Sequence, residues 1–169
     1  MPTRRNALII ASLLAALAVP AFTGQALAAP AVGEAAPALV ATELDNTSFD
    51  LSAFHGKVVI VNFWATWCPP CRLEMPDLDI ISTHFQPQGL VILSITDESG
   101  LTVTPFITQM GYHPQVLFDS DGKVHRLFHV NGIPKNFVFD RDGKLVAQSI
   151  DQCTQHQLLM MLAKAGLHP

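Results

Sequence analysis

An unbroken apolar stretch that leads directly to a closely spaced cysteine pair constrains the fold of this chain more than any other feature. Lys57 to Trp64 contains the run Val-Val-Ile-Val-Asn-Phe-Trp, which is typical of a strand covered on both faces. Cys68 and Cys71 follow with two prolines between them, and proline favours the first turn of a helix. The sequence therefore predicts a buried central strand, followed by a helix that has both cysteines at its start.

The segments around this motif predict a single α/β domain. At 169 residues the chain is too short for two ordinary domains and a linker. The helix is predicted over 69–85, where Pro76 should kink it, and Leu90–Ile95 is predicted as a second strand. The order strand, helix, strand implies parallel neighbouring strands and a right-handed crossover.

Turn signals and periodicity predict the remaining elements of the domain. Asp45-Asn46 is a turn pair, and Arg141-Asp142-Gly143 is a hairpin signal. Thr154 is a suitable N-cap for a last helix. The predicted elements are a hairpin of Ala38–Leu44 and Ser48–Leu51, a helix over 102–110, a strand Gln115–Phe118, a short helix Lys123–Val130, a hairpin of Asn136–Asp140 and Lys144–Ile150, and a helix Thr154–Ala165.

The first residues have the pattern of an export signal. Arg4 and Arg5 form a basic start, Ala7 to Val19 is apolar, and small residues at Ala26–Ala28 suit cleavage. The apolar run is shorter than the about 20 residues of a membrane-spanning helix, so residues 1–28 are predicted to be a removable signal, with an uncleaved membrane anchor as the alternative. Residues 29–37 are predicted to be a linker and 38–169 the folded domain. The expected location is the periplasm.

The charge pattern argues against a nucleic-acid partner. The formal net charge is -4, and the 10 lysines and arginines are scattered along the chain. Phosphate binding requires clustered basic residues.

The cysteines suit disulfide exchange better than a structural role. A zinc site needs four ligands, whereas the chain has 3 cysteines and dispersed histidines. A disulfide across two residues removes little chain entropy, so stabilisation alone is a poor reason for one. His125 and His129 have a metal-ligand spacing, but ordinary histidines explain them better, and no metal or cofactor is expected. Cys153 is expected to be a buried, inert thiol, with intermolecular pairing as the alternative.

Each position of the cysteine motif suggests a role in exchange. Cys68 at a helix start faces the positive end of the helix dipole and free N-H groups, which lower the pKa of its thiol and make it the nucleophile. Cys71, one turn later, can resolve the mixed disulfide. Because Pro69 and Pro70 lack N-H groups, the stabilisation of the thiolate should be modest, which favours a reductant over a strong oxidant.

Several motifs together resemble the TlpA/ResA-like branch of the thioredoxin superfamily. They are Phe63–Arg72, Glu74–Pro76, Gly132–Pro134 and Asn136–Asp140, and the resemblance extends over about residues 33–167. It implies a thioredoxin fold, with a central mixed β-sheet flanked by helices, an N-terminal β-hairpin and the strand-helix insertion of this branch.

The resemblance also implies roles for individual residues. The proline matching Pro134 is cis in the family and lies beside the cysteines, so Ile133 should face the substrate. Glu74 matches an acidic residue that is thought to assist proton movement, with a solvated helix-face glutamate as the alternative. Trp67, together with Pro69 and Pro70, is expected to contact substrate.

Two positions depart from related patterns. Asn62 stands where thioredoxin has a buried aspartate, so proton handling cannot be transferred from thioredoxin. Asn136 stands where the family more often has threonine, so substrate specificity cannot be transferred either.

The resemblance implies a reductase of exported proteins. Its partners would be oxidised substrate proteins and a membrane thiol reductase that donates electrons, and apocytochrome c maturation is the candidate pathway. A thiol peroxidase is an alternative, although that class has threonine three residues before its cysteine and Thr66 is two before Cys68. The other alternative is a thioredoxin-fold binding or chaperone module.

Overall fold

A mixed sheet of seven strands forms the centre of the computed structural model, which describes residues 29–37, 40–42 and 48–168. In chain order the strands are β1 Val40–Thr42, β2 Ser48–Asp50, β3 Val58–Phe63, β4 Leu90–Thr96, β5 Gln115–Phe118, β6 Lys135–Phe139 and β7 Leu145–Ser149. They lie in the order β2-β1-β5-β4-β3-β6-β7. The predicted export signal lies outside the described residues.

The strand predicted to be central lies in the middle of the five strands β5-β4-β3-β6-β7. All residues of β3 are buried, and it pairs in parallel with β4 and antiparallel with β6. The N-terminal hairpin of β1 and β2 continues the sheet beyond β5, where Thr42 pairs with Phe118. The turn predicted at Asp45-Asn46 lies outside the described residues.

Within the described residues, four helices flank the sheet: α1 Pro69–Phe85, α2 Gly100–Met110, α3 Lys123–Leu127 and α4 Gln155–Lys164. Thr154 caps α4 as predicted, in a capping box with Gln157. The helix predicted over 123–130 is shorter, because it ends at Leu127 and His129 adopts a left-handed φ of 49°. Two one-turn 3-10 segments, Leu51–Phe54 and Gln86–Gln88, complete the helical structure of the described chain.

Alternating residues of β3 face two separate cores. Val59, Val61 and Phe63 pack with an aromatic cluster on the α3 side that contains Phe128 and Phe137. Ile60 and Val58 face α1 and α4 on the opposite side. The period of two in a strand places Asn62 on the same face as Ile60, towards α1.

The segment ahead of β1 contacts the end of the sheet. The Gly33 amide donates to the Leu145 carbonyl at 2.8 Å, the Leu145 amide donates to the Glu34 carbonyl at 2.9 Å, and Ala35 forms a bridge with Lys144. The division of the chain into signal, linker and domain stays a prediction. Within the part of the chain that the structure describes, no helix has the length and hydropathy needed to cross a bilayer.

Candidate active site

A disulfide between Cys68 and Cys71 lies at the N-terminus of α1. Cys68 is the N-cap residue of the helix, and the backbone N-H of Cys71 donates to Cys68 Sγ at 3.2 Å. Pro69 and Pro70 occupy the first two helical positions, so Cys71 supplies the first amide that can face the sulfur. The pairing of the two sulfurs and this single donor agree with the sequence-based interpretation of the motif.

The loop before β6 lies against the first cysteine. The Ile133–Pro134 peptide bond is cis, and the Ile133 carbonyl oxygen lies 3.8 Å from Cys68 Sγ. Pro134 is buried and Ile133 is half-buried. Ile133, Pro134 and Cys68 therefore lie side by side, as the resemblance implies.

The residues around the disulfide differ in their exposure. Only 2% of the Cys68 surface is exposed, whereas Trp67 beside it is 67% exposed. Pro69 is exposed and Pro70 half-buried. An exposed aromatic side chain next to a recessed sulfur leaves an apolar surface beside the disulfide.

Trp64 is a packing residue, in contrast to Trp67. It is 1% exposed and packs with Phe106 of α2 at a centroid distance of 6.0 Å. Its Nε1-H has no hydrogen-bond partner among the residues that the structure describes. Leaving this donor unpaired costs free energy, which the burial of the large ring offsets.

Glu74 is buried beneath α1 instead of lying on a solvated helix face, so the alternative considered from the sequence is wrong about its exposure. The residue is 1% exposed. Its Oε1 accepts hydrogen bonds from the Cys153 amide at 2.8 Å and from Asn136 Nδ2 at 2.9 Å, and its Oε2 accepts a longer one from Asn62 Nδ2 at 3.4 Å. Each donor comes from a different segment of the chain.

Opposing effects act on the charge of Glu74. Burial raises the pKa of its carboxyl above the ordinary value of 4.5, because a charged group is poorly solvated there. The three N-H donors partly oppose that rise, while the negative charge of Asp77 adds to it. A carboxyl whose pKa is raised in this way can exchange a proton closer to neutral pH than an exposed glutamate can.

Glu98 is a site residue that the sequence analysis missed. Its Oε2 accepts from the Thr66 backbone N-H at 2.6 Å and its Oε1 accepts from the Thr66 hydroxyl at 2.7 Å. These two bonds tie the loop that carries Trp67 and Cys68 to the loop after β4. Because β3 and β4 are parallel, the residues after each strand meet at the same end of the sheet. The predicted parallel pairing could therefore have indicated that Glu98 lies close to Thr66.

Cys153 and His125 are the remaining side chains that the sequence analysis considered. Cys153 is free and buried as expected, and burial raises the pKa of its thiol. His125 Nδ1 lies 2.6 Å from Asp119 Oδ2, an oxygen that also accepts from the His125 amide. Asp119 therefore orders the start of α3. Among the described residues no group of three or more metal-ligating side chains occurs.

The sequence is similar to a known family and to thiol-disulfide oxidoreductases. The model of the AhpC/TSA family matches residues 32–148. The chain is 35% identical over 134 residues to the thiol-disulfide oxidoreductase ResA of Bacillus anthracis, covering 79% of this chain and 78% of that protein. ResA of Bacillus subtilis is 32% identical over 137 residues, with 79% and 76% covered.

A solved structure shows the same fold. The crystal structure of a thiol:disulfide interchange protein of the thioredoxin family from Chlorobium tepidum TLS superposes with a TM-score of 0.70 at 26% identity, covering 81% of this chain and 99% of that one. The predicted thioredoxin fold is therefore confirmed.

Proposed function

Because this chain belongs to the AhpC/TSA family and is similar to ResA thiol-disulfide oxidoreductases, we propose that it is exported and reduces disulfides in extracytoplasmic proteins. That it exchanges dithiols and disulfides follows from these relatives together with the Cys68–Cys71 pair. The direction, the compartment and the substrates are the proposal. The observation that carries it is the disulfide at the start of α1, with the Ile133 carbonyl beside Cys68 Sγ.

The reaction uses the two sulfurs in sequence. In the reduced protein the Cys68 thiolate attacks a substrate disulfide, forms a mixed disulfide and releases one substrate sulfur as a thiolate. Cys71 then loses its proton and attacks Cys68 Sγ, which closes the Cys68–Cys71 bond and releases the second substrate sulfur. The substrate gains two electrons and the protein loses two. Glu74, one turn after Cys71 on α1, takes up the proton of Cys71.

The substrate is proposed to bind across the loop before β6. An extended backbone beside cis Pro134 would place its disulfide over Cys68, with Ile133 next to it. Exposed Trp67 and Pro69, with half-buried Pro70, extend this surface on the side of α1. Contacts to backbone and apolar side chains suit a range of polypeptide substrates.

The sequence supports the direction and the compartment. Two prolines at the start of α1 leave few amides to stabilise the Cys68 thiolate, and a strong oxidant depends on such stabilisation. The signal-like residues 1–28 support a periplasmic location, with an uncleaved signal as a membrane tether. A membrane thiol reductase would restore the dithiol, and apocytochrome c is the proposed substrate.

Trapping of partners tests the proposal. The Cys71→Ala variant cannot resolve a mixed disulfide, so Cys68 should remain linked to its substrates. Partners would be identified by mass spectrometry after non-reducing electrophoresis of the periplasmic fraction. We expect apocytochrome c and the membrane reductase among them, whereas a fraction without any linked protein would contradict a protein-reducing role.

Matched variants separate the alternatives. Cys68→Ala with Cys71 intact should trap nothing, because the nucleophile is absent. A binding or chaperone module would keep its activity in Cys68→Ser, whereas the reductase loses turnover. A thiol peroxidase would consume peroxide at the same cysteine, but the Thr66 hydroxyl donates to Glu98, so no observation at this site favours it.

A further inference from the structure

Three polar side chains form a buried cluster between α1 and the sheet. Glu74 and Asn62 are each 1% exposed and Asn136 is 0% exposed. We call Asn62, Asn136 and Glu74 the amide-carboxylate cluster. In the described part of the chain no lysine, arginine or histidine forms an ion pair with Glu74, so its charge is balanced only by hydrogen bonds.

The sheet fixes the orientation of both amides. Asn62 and Asn136 are directly paired across β3 and β6, so their side chains lie next to each other on the face towards α1. Asn62 Nδ2 donates to Asn136 Oδ1 at 2.9 Å. Because the Asn136 oxygen is occupied, its Nδ2 is directed at Glu74 Oε1, 2.9 Å away, and at Ser149 Oγ, 3.2 Å away.

Stability alone does not account for these residues. The same face of β3 and β6 otherwise carries apolar side chains such as Ile60 and Val138, and an apolar replacement of a buried polar cluster is often neutral or stabilising. Polar groups that break the pattern of a core are typical of functional sites. The cluster lies under the helix that begins with the reactive cysteines.

We propose that Asn136, oriented by Asn62, is a positioning residue for the exchange reaction, which holds the Glu74 carboxylate ready to receive the proton of Cys71. This inference rests on the proposed role of Glu74. When the Cys71 S-H bond breaks, the proton moves to the carboxylate, and the sulfur forms its bond to Cys68. Asn136 has only N-H donors to offer Glu74, so it favours the charged form, which is the proton acceptor.

Other titratable groups face the same carboxyl. The negative charge of Asp77 on α1 disfavours ionisation of Glu74. Cys153, ahead of α4, donates its backbone N-H to Glu74. The Cys153 thiol also interacts with the carboxylate, which adds to the rise in the pKa of that thiol. Cys71 lies on the helix face of Glu74, one turn earlier. Asn136 and the Cys153 amide are therefore the two short donors that offset burial.

A titration of the Glu74 carboxyl tests the inference without reference to activity. Carbon-13 NMR of labelled glutamate side chains in the oxidised protein, assigned with Glu74→Gln, reports the midpoint. Asn136→Ala should move the midpoint to higher pH, because a donor to the charged form is lost. Ser149→Ala is the matched control, since it removes the other partner of Nδ2 and leaves the midpoint near that of the wild type. An unmoved midpoint in Asn136→Ala would overturn the inference.

The pH profile of substrate release gives the second readout. Rapid mixing of the preformed mixed disulfide isolates the attack by Cys71. Glu74→Gln should slow release by about 10²-fold, the low end for a general base, and flatten its pH dependence. Asn136→Ala should shift the profile to higher pH, and should add little to Glu74→Gln in the double variant.

The outcomes distinguish the two proposals. Release at the wild-type rate in Glu74→Gln would remove the proton role of Glu74, and the positioning role with it. Slow release in Glu74→Gln with an unshifted profile in Asn136→Ala would remove the positioning role alone. If Asn136→Ala does not fold, Asn136→Leu replaces it, because a leucine of nearly the same size fills the space without an N-H donor and leaves the bond from Asn62 to Glu74 in place. A profile shift in that variant supports the inference, and its absence overturns it.

Discussion

Cys68 belongs to the redox-active pair and is also the N-cap of α1. Its sulfur accepts the hydrogen bond that a hydroxyl or carboxylate oxygen accepts at most helix starts. The two following prolines leave the Cys71 amide as the donor at 3.2 Å. The reactivity of the thiol is therefore set by how many backbone amides the first turn presents.

Adding one amide at this turn should change the pKa of the Cys68 thiol and the reduction potential of the protein. Pro70→Ala restores an N-H at the second helical position, which should lower the pKa of the Cys68 thiol and stabilise the reduced form. The reduction potential should rise by on the order of 30 mV, equivalent to about 1.4 kcal/mol. Thiolate absorbance against pH and equilibration with glutathione measure both quantities. Pro76→Ala, further along α1, is the control, and an equal rise there would contradict the explanation.

Cys153 should take no part in disulfide exchange. It is 4% exposed and burial raises the pKa of its thiol, so little thiolate forms at neutral pH. We expect iodoacetamide to leave the oxidised native protein unmodified and to label one thiol after denaturation. Cys153→Ala should keep the turnover of the wild type, and fast labelling of the native protein would contradict this.

Among the elements, α2 and the loop ahead of it support the redox loop. The Glu98 carboxylate accepts both the amide and the hydroxyl of Thr66, and Phe106 packs on Trp64. Arg72 of α1 also lies 5.8 Å from the centre of the Phe106 ring. The position of Trp67 therefore depends on an element far from it in sequence.

Removing the hydroxyl contact should weaken this support. Thr66→Val loses the 2.7 Å bond to Glu98 and should lower the free energy of unfolding by about 1–3 kcal/mol, since the partner is a carboxylate. Turnover of protein substrates should fall more than that of a small disulfide, because Trp67 loses its fixed position. Urea unfolding and both assays measure this. Thr102→Val, which removes only the exposed contact with Ser99, should leave all three values unchanged.

The secondary-structure elements could be predicted from the sequence more completely than the residues of the site. The apolar run gave β3, and the strand Gln115–Phe118 has the bounds that were predicted. The cysteine pair and the proline loop could be recognised because their residues are adjacent in sequence. Glu98 and Asn136 could not, because their roles depend on partners 32 and 62 residues away. Helical spacing placed Glu74 on the face of Cys71, but only packing against the sheet determines that this face is buried.

For the whole molecule, the buried carboxyl links stability to pH. The folded-state pKa of Glu74 is raised by burial, so its contribution to stability is fully present below the unfolded value and is lost as pH rises through the folded value. Above about pH 4.5, the ordinary value of the carboxyl, the wild type should lose stability relative to Glu74→Gln. Urea unfolding across this range measures the difference. A wild type that keeps or gains stability relative to Glu74→Gln as pH rises would contradict the explanation.

The hydrogen bonds between residues 33–36 and 143–145 satisfy backbone groups at one edge of the sheet. Free backbone groups along an edge strand invite a second chain to add to the sheet. Here the Gly33 amide donates to Leu145 at the start of β7 and the Ala36 amide donates to Gly143 in the turn before it, at 2.8 Å each. The opposite edge is β2, a strand of 3 residues. For a protein proposed to act on oxidised polypeptides, a short strand at one edge and a partly paired start at the other limit the places where a second chain can add to the sheet.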